Sequence, residues 1–242
     1  MTPSVSNALT QGISLTWKNF GRFVVPSLIL FFSIAIYTGV SVVASIVMEY
    51  APLVGFMLQM FSLLLQGVFI FVSAALFVWI AVRALQVIRS SDEPRYTWSR
   101  FGWYLLYQLV LGAVAALVSI PIVIVSFIAG FTGYALGGLS GVVIAIVGLI
   151  VLAMVLALIY LSIRVMLAPY AIADTNANPI EALKRSWHLS AGRFWPLFGL
   201  SIFTGILNLI GMFALGIGMI FTIPASYVVL AHYYEQLVGV EA

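Results

Sequence analysis

Residues 174–200 read DTNANPIEALKRSWHLSAGRFWPLFGL, and this stretch decides how the rest of the chain is interpreted. It begins polar, and Asn178, Pro179 and Glu181 have the form of a helix start. Asn caps helices, Pro suits the first helical position, and Glu reaches back in a capping box. Gly192 then permits a bend, after which the chain becomes apolar. The pattern predicts an amphipathic helix that leads into a membrane span.

The predicted helix has an apolar face and a basic face. Apolar residues recur every three or four positions, at Ile180, Leu183, Trp187, Ala191 and Phe194. The other face carries Glu181, Lys184, Arg185 and His188. A short basic helix with aromatic residues is typical of the boundary between lipid and water, so we expect it to lie on the membrane surface.

The composition of the whole chain indicates an integral membrane protein. Of its 242 residues, 64% are hydrophobic and only 7% are charged, and the mean hydropathy is +1.19. Soluble domains carry about 25% charged residues. The chain has no cysteine, which excludes disulfides, thiolate nucleophiles and cysteine metal ligands.

Six apolar segments are long enough to cross a bilayer, which takes about 20 residues. They cover residues 23–48, 53–83, 103–128, 142–167, 195–213 and 217–234, the second extending as far as residue 87. We therefore predict an all-α, polytopic membrane helix bundle with six transmembrane helices and interfacial amphipathic helices. The glycine-rich residues 130–141 are expected to form a loop, in which Gly137 and Gly141 suit helix packing better than phosphate binding.

Internal similarity suggests a repeated plan. At an offset of 174 positions, five residues are identical: Ala8, Leu9, Leu15, Phe20 and Ser27 correspond to Ala182, Leu183, Leu189, Phe194 and Ser201. A fainter copy places residues 98–102 on residues 17–21. We interpret residues 1–242 as a single integral membrane domain with repeat units 1–89, 90–173 and 174–242. Each unit would be an amphipathic helix followed by a transmembrane hairpin. The alternative is that the matches arise by chance, because the amino-acid composition is dominated by apolar residues.

The charges of the chain favour the six-span topology. With six spans, all ten Lys and Arg residues fall on one side, whereas the three opposite turns contain a single charge, Glu49. Basic residues accumulate on the cytoplasmic side of membranes. The rule predicts that both termini are cytoplasmic.

No pattern of catalytic residues is evident in the sequence. The two histidines, His188 and His232, are far apart, and we interpret His232 with the tyrosines that follow it as part of an interfacial aromatic belt. A nucleophile elbow, a phosphate loop and a dinucleotide fingerprint are all missing. We predict that the chain is not an enzyme and has no cofactor, metal or catalytic residues. An intramembrane enzyme that uses Asp174, Glu181 and His188 is the least favoured hypothesis.

Two sets of polar residues are candidates for binding. The first consists of basic residues near the membrane boundary that could contact lipid headgroups or a partner: Arg83, Arg164, Lys184, Arg185 and Arg193. For Arg83 and Arg164, anchoring of the helix ends is the simpler interpretation. The second is an intramembrane polar stripe formed by Gln59, Ser62 and Gln66. This stripe is expected to face protein, as helix-packing contacts or as the lining of a cleft, because an unpaired amide in hydrocarbon is costly.

Three segments resemble a known group of proteins: APYAIAD at residues 168–174, PIEALKRSW at 179–187 and GRF at 192–194. They are similar to the membrane domain attached to some bacterial glycerophosphodiester phosphodiesterases and to related inner-membrane families. The resemblance implies a six-span protein of the bacterial cytoplasmic membrane. It implies no active-site residues for this chain, because the acidic metal ligands of the soluble phosphodiesterase domain have no counterpart here.

These observations favour a non-enzymatic integral membrane protein that acts as a scaffold or accessory subunit. Its expected partners are membrane lipids together with another membrane protein or a second copy of the chain. Nucleic acid is not expected, because the interface with lipid explains the sparse basic residues and the tryptophans. The alternative is a carrier or flippase-like protein for a lipid or hydrophobic small molecule, which the repeated units and the polar stripe motivate.

Overall fold

The computed structural model of the chain describes residues 3–135, 141–214 and 216–241. Within these ranges the chain forms α-helices and no β-strand, so the all-α prediction is confirmed. The helices are α1 (Val5–Lys18), α2 (Gly21–Tyr50), α3 (Pro52–Arg89), α4 (Trp98–Ala135), α5 (Gly141–Val165), α6 (Ala168–Thr175), α7 (Pro179–Leu189), α8 (Phe194–Phe213) and α9 (Met219–Glu241).

The length and hydropathy of the helices indicate a membrane protein, as predicted. Among the described residues, five helical stretches are long and apolar enough to cross a bilayer: Gly21–Tyr50, Pro52–Arg89, Trp98–Leu117, Gly148–Thr175 and Phe194–Phe213. The predicted sixth span falls on α9, which is not among them. The second half of α9 is too polar, because it carries His232, Glu235 and Gln236.

Several helices extend beyond the apolar runs that predicted them, because helical hydrogen bonding continues past the hydrophobic segment. Helix α3 ends at Arg89, two residues beyond the furthest predicted end at Val87. Helix α4 continues to Ala135, so residues 130–135 are helical and the prediction of a loop there is wrong. The predicted packing glycine Gly137 lies outside the described residues, whereas Gly141 begins α5.

Residues 90–97 form no helix, so the prediction that every unit begins with an amphipathic helix is wrong for the middle one. Ser90 ends α3 in a left-handed conformation, with φ of 50°. The loop is then fastened by Gln86, whose Nε2 donates to the carbonyl oxygens of Asp92 and Pro94 at 2.9 and 2.8 Å. These bonds tie the loop to the last turn of α3, and only eight residues separate α3 from α4.

The protein core lies at one end of the bundle. It is formed by the second half of α3, by α6 and α9, and by one face each of α1 and α7. Its large, fully buried side chains include Phe23, Tyr170 and Tyr234. By contrast, residues 31–72 of the α2–α3 hairpin bury only three small residues, Ala44, Gly55 and Ser62. The outer surface of this hairpin is apolar and suited to lipid or to other transmembrane helices.

The two amphipathic helices bury faces made of small residues. Helix α1 buries Ala8, Gly12 and Thr16, whereas Trp17, from the predicted apolar stripe, is 72% exposed. A Cβ atom on Gly12 would lie 2.7 Å from the Cα of Val229, which shows how closely α1 approaches α9.

Helix α7 follows the same pattern. It buries Ala182, Ser186 and Leu189, whereas Ile180 and Trp187 are 66% and 45% exposed. Only part of the predicted apolar stripe therefore packs on the protein, because Leu183 and Phe194 contact the core. Small residues permit close helix contact, and the exposed Ile180 and Trp187 suit lipid.

The prediction of an aromatic belt at the end of α9 is wrong. Tyr233 and Tyr234 are 1% and 0% exposed, and His232 is half-buried. The reason is that α9 is surrounded by α1, α2, α3 and α8. Its polar second half therefore lies inside the protein instead of at the lipid boundary.

Candidate functional site

A group of ion pairs joins three helices at the end of the bundle that holds the core. Arg89 ends α3, Asp174 lies in α6 and Glu235 lies in α9. Nη1 of Arg89 is 2.8 Å from Oδ1 of Asp174, and its Nη2 is 2.6 Å from Oε1 of Glu235. Nε of Arg89 donates to the same Glu235 oxygen at 3.0 Å. We call Arg89, Asp174 and Glu235 the Arg89 cluster.

Further bonds fix Asp174 within this cluster. The hydroxyl of Tyr234 donates to Oδ2 of Asp174 at 3.1 Å, so both carboxylate oxygens are bonded. Nη2 of Arg100 donates to the Asp174 carbonyl oxygen at 3.1 Å. The guanidinium of Arg185 lies over the Tyr234 ring, 5.8 Å from its centroid. With its carboxylate held by Arg89 and Tyr234, Asp174 is suited to joining helices.

A second polar contact fastens α7 to the end of α5. Nε and Nη2 of Arg164 donate to the Tyr160 hydroxyl at 3.0 and 2.9 Å, and the guanidinium lies 4.9 Å from the centroid of the Trp187 ring. Nη1 also donates to Oγ of Ser190 at 3.3 Å. In return, Oγ of Ser186 donates to the Arg164 carbonyl oxygen at 2.7 Å. Protein groups thus engage the guanidinium of Arg164.

The five basic residues predicted as lipid or partner contacts have different surroundings. Nη1 of Arg83 donates to Oε1 of Gln86 at 3.1 Å, and Nη1 of Arg193 donates to the Leu189 carbonyl oxygen at 3.2 Å. Lys184 is exposed and Arg185 is half-buried. Lys184 is therefore the most accessible of the five to a lipid headgroup.

The intramembrane polar stripe does not present one face to the protein. Ser62 is buried and Gln59 is half-buried, but Gln66 is exposed, so no other part of the described chain covers Gln66. Oγ of Ser62 donates to the Gln59 carbonyl oxygen at 2.9 Å. Among the described residues, the Gln66 amide has no hydrogen-bond partner. A groove of about 180 Å³ between α2 and α3 is lined by apolar and aromatic residues and by Ser33, and not by the stripe.

The acidic residues of the least favoured enzyme hypothesis have separate roles. Asp174 belongs to the Arg89 cluster, whereas Glu181 is exposed and its backbone N–H bonds to the Asn178 cap at 3.0 Å. In the described ranges, no group of three or more His, Asp or Glu residues could hold a metal ion.

Sequence reasoning missed the Arg89 cluster, although the sequence carried a weak signal for it. Asp174 and Glu235 are acidic residues near the ends of long apolar runs, where a charge needs a partner. Arg89 is separated from Glu235 by 146 positions, so the sequence could not identify it as that partner.

The comparisons with known proteins identify a family and no individual relative. No curated protein and no solved structure matches the chain. The family described as "Domain of unknown function (DUF7847)" matches residues 4–240, nearly the whole chain. The chain therefore belongs to the DUF7847 family.

Proposed function

We propose that the protein is a non-enzymatic scaffold of the bacterial cytoplasmic membrane that associates through its α2–α3 hairpin. The observation that carries this proposal is the exposed amide of Gln66 on a hairpin whose outer surface is largely apolar. An amide that lacks a hydrogen-bond partner in hydrocarbon is costly, and polar residues in transmembrane helices are commonly paired across helices.

The position of Gln66 along α3 places it deep in the bilayer. It lies 14 residues after Pro52, the start of α3, and 17 residues before Arg83. At a rise of 1.5 Å per residue, these separations are about 21 and 25 Å. The hydrocarbon core is about 30 Å thick, so Gln66 lies near its middle, where water is absent.

A second copy of the chain is the partner that best fits this surface. An amide both donates and accepts, so two Gln66 side chains can pair across a two-fold axis, where the same patch meets itself. The neighbouring Gly67 has open space where a Cβ would be, which allows another backbone to approach. Leu63 and Ile70, one turn away on either side, are 51% and 40% exposed.

We further propose six spans with both termini in the cytoplasm. Helix α9 returns antiparallel to α8, and a Cβ on Gly218 would lie 2.8 Å from the Cα of Gly211, so the two helices form a tight hairpin. Because α9 is enclosed by other helices, it can cross the membrane without an apolar surface of its own. The bacterial assignment follows from the resemblance to glycerophosphodiester phosphodiesterase membrane domains.

The buried faces of α1 and α7 support a repeat with units 1–89, 90–173 and 174–242. Ala8, Gly12 and Thr16 correspond to Ala182, Ser186 and Ser190 at the offset of 174, and all are buried. Helix α1 packs on α9, and α7 packs on α5, which is the second span of the preceding unit. In the middle unit, the loop at residues 90–97 replaces the amphipathic helix.

A carrier for a lipid or hydrophobic small molecule is the second candidate. An apolar groove of about 440 Å³ lies between α5 and α8, with Ser162 and Ser201 among its lining residues. Such a groove could hold an acyl chain. If the protein is a carrier, Ser201→Trp should block lipid transfer between vesicles, whereas a scaffold should transfer no lipid before or after the change.

Cysteine cross-linking tests the scaffold proposal, because the chain contains no cysteine of its own. Leu63→Cys lies on the exposed face beside Gln66, and oxidation in native membranes should link two chains. Ser62→Cys is the control, since Ser62 is only 3% exposed, and it should not cross-link. Adding Gln66→Leu to the Leu63→Cys protein should reduce the dimer several-fold by removing the paired amide.

Other results of this experiment would contradict the proposal. If the Leu63→Cys protein stays monomeric, or if Gln66→Leu leaves cross-linking unchanged, the amide does not mediate association. If the cross-linked product contains a different polypeptide, the scaffold function holds and self-association is wrong.

A further inference from the structure

A polar cavity of about 400 Å³ lies between the junction of α1 and α2 and the loop that follows α3. Asn19 and Arg22 line one side, and Gln86, Ser90 and Asp92 line the other. It is separate from the Gln66 surface, which lies near the middle of the membrane.

The cavity contains one cationic and one anionic side chain that do not meet. Arg22 and Asp92 are both exposed and both line it. In the part of the chain that the structure describes, neither side chain forms an ion pair or hydrogen bond. A ligand that carries an anion and a cation can therefore satisfy both groups at once.

The wall that carries Asp92 is held in place by a buried side chain. Gln86 is only 6% exposed, and its Nε2 donates to the carbonyl oxygens of Asp92 and Pro94. Its Oε1 accepts a bond from Arg83 at 3.1 Å. The backbone N–H of Ser91 also donates to the Gln86 carbonyl oxygen at 3.2 Å. Such preorganisation lowers the entropic cost of binding.

The cavity lies where a span begins and another ends. Arg22 is the second residue of α2, and Ser90 directly follows α3. Two tryptophans lie close in sequence to residues that line the cavity. They are Trp17 and Trp98, which are 72% and 79% exposed, as is typical of residues at the headgroup level. The ligand can therefore be a lipid whose chains remain in the bilayer.

We propose that this cavity binds the phosphoethanolamine headgroup of a membrane lipid. Arg22 donates hydrogen bonds to the phosphate, because the planar guanidinium presents a fork of donors that matches phosphate oxygens. Asp92 accepts hydrogen bonds from the ammonium. The hydroxyl of Ser90 offers the phosphate a further donor. An anionic headgroup such as phosphoglycerol satisfies Arg22 but leaves Asp92 facing a ligand of like charge. The site therefore prefers phosphatidylethanolamine to phosphatidylglycerol.

Native mass spectrometry of the full chain in detergent, with the two lipids added in equal amounts, tests this preference. The unaltered protein should retain about ten times as much phosphatidylethanolamine as phosphatidylglycerol. A tenfold ratio is what one additional charge-assisted hydrogen bond contributes to affinity. Asp92→Asn should abolish the preference, and Arg22→Gln should weaken binding of both lipids. Arg95→Gln is the control, because Arg95 is in the same loop, does not line the cavity and is 76% exposed in its side chain.

Three outcomes would overturn the proposal. Equal retention of the two lipids by the unaltered protein would contradict selection of a zwitterion. A preference that persists in Asp92→Asn would exclude the role of Asp92. Soluble phosphoethanolamine that binds as tightly as the lipid would show that the ligand is a free metabolite. Unchanged melting temperatures of the variants confirm that they are folded.

Discussion

Asp174 joins α6 to three other helices, α3, α4 and α9, at the polar end of the bundle. It contacts Arg89 and Tyr234 with its carboxylate and Arg100 with its carbonyl oxygen. Its side chain is only 10% exposed. The side chains of Arg89 and Glu235 are 30% and 22% exposed, so solvent screens part of the ion pairs that Arg89 forms.

We expect Asp174→Ala to lower the free energy of unfolding by about 2 kcal/mol, less than for a fully buried pair because Arg89 reaches solvent. Thermal unfolding in detergent micelles, followed by circular dichroism, measures the change. Arg95→Ala is the matched control. It breaks the pair with Glu93, whose side chains are 76% and 71% exposed, and should leave the melting temperature unchanged. Equal melting of the two variants would contradict a structural role for the Arg89 cluster.

Among whole elements, α1 shows how a short helix is held by small residues instead of large ones. Its face of Ala8, Gly12 and Thr16 lies against α9, and the backbone of Ser4, just before α1, donates to Oε1 of Gln236 at 2.7 Å. The contact is close because Gly12 has no side chain.

Gly12→Ala is expected to destabilise the protein by about 1–3 kcal/mol, because the added Cβ would meet both the backbone and the Cγ2 atom of Val229, and the backbone cannot easily move away. Proteolysis between α1 and α2, together with thermal unfolding, reports the loss. Gly102→Ala in α4 is the control, since nothing lies near its Cβ position, and it should gain about 0.5–1 kcal/mol from better helix propensity. Finding Gly12→Ala as stable as the unaltered protein would exclude the tight α1–α9 contact.

At the scale of the whole molecule, the polar contacts and the apolar surface occupy different ends. The Arg89 cluster, the Arg164 contacts and the polar cavity are all formed by helix ends and loops that carry basic residues. At the opposite end, the last turn of α2 contains Glu49 and Tyr50, the latter 80% exposed. This distribution underlies the proposed orientation.

Accessibility of introduced cysteines tests that orientation in spheroplasts treated with a maleimide that does not cross membranes. We expect Tyr50→Cys to react in intact spheroplasts and Glu93→Cys to react only after lysis. Both positions are exposed, so burial does not confound the result. Labelling of Glu93→Cys before lysis would reverse or refute the topology.

The sequence alone determined the class of the protein and its local helix signals. Composition and hydropathy predicted a membrane helix bundle, and the described part of the chain is all-α, with five helices long and apolar enough to span a membrane. Asn178 caps α7 as predicted, accepting from the backbone N–H of Glu181 at 3.0 Å, and Gly192 takes a positive φ of 71° at the predicted bend. These features depend on residues within one or two helical turns, which is why they can be recognised locally.

Only the tertiary structure decided which faces are buried and which distant residues meet. The packing of the helices leaves Gln66 exposed and buries Tyr233 and Tyr234. It also places Arg89 beside Glu235, which is 146 positions away in the sequence. In a chain with so many apolar residues, periodicity cannot separate a surface that packs on protein from one that suits lipid, because both are hydrophobic. That distinction arises only when the helices pack, since small residues bring backbones together and buried charges must then find partners.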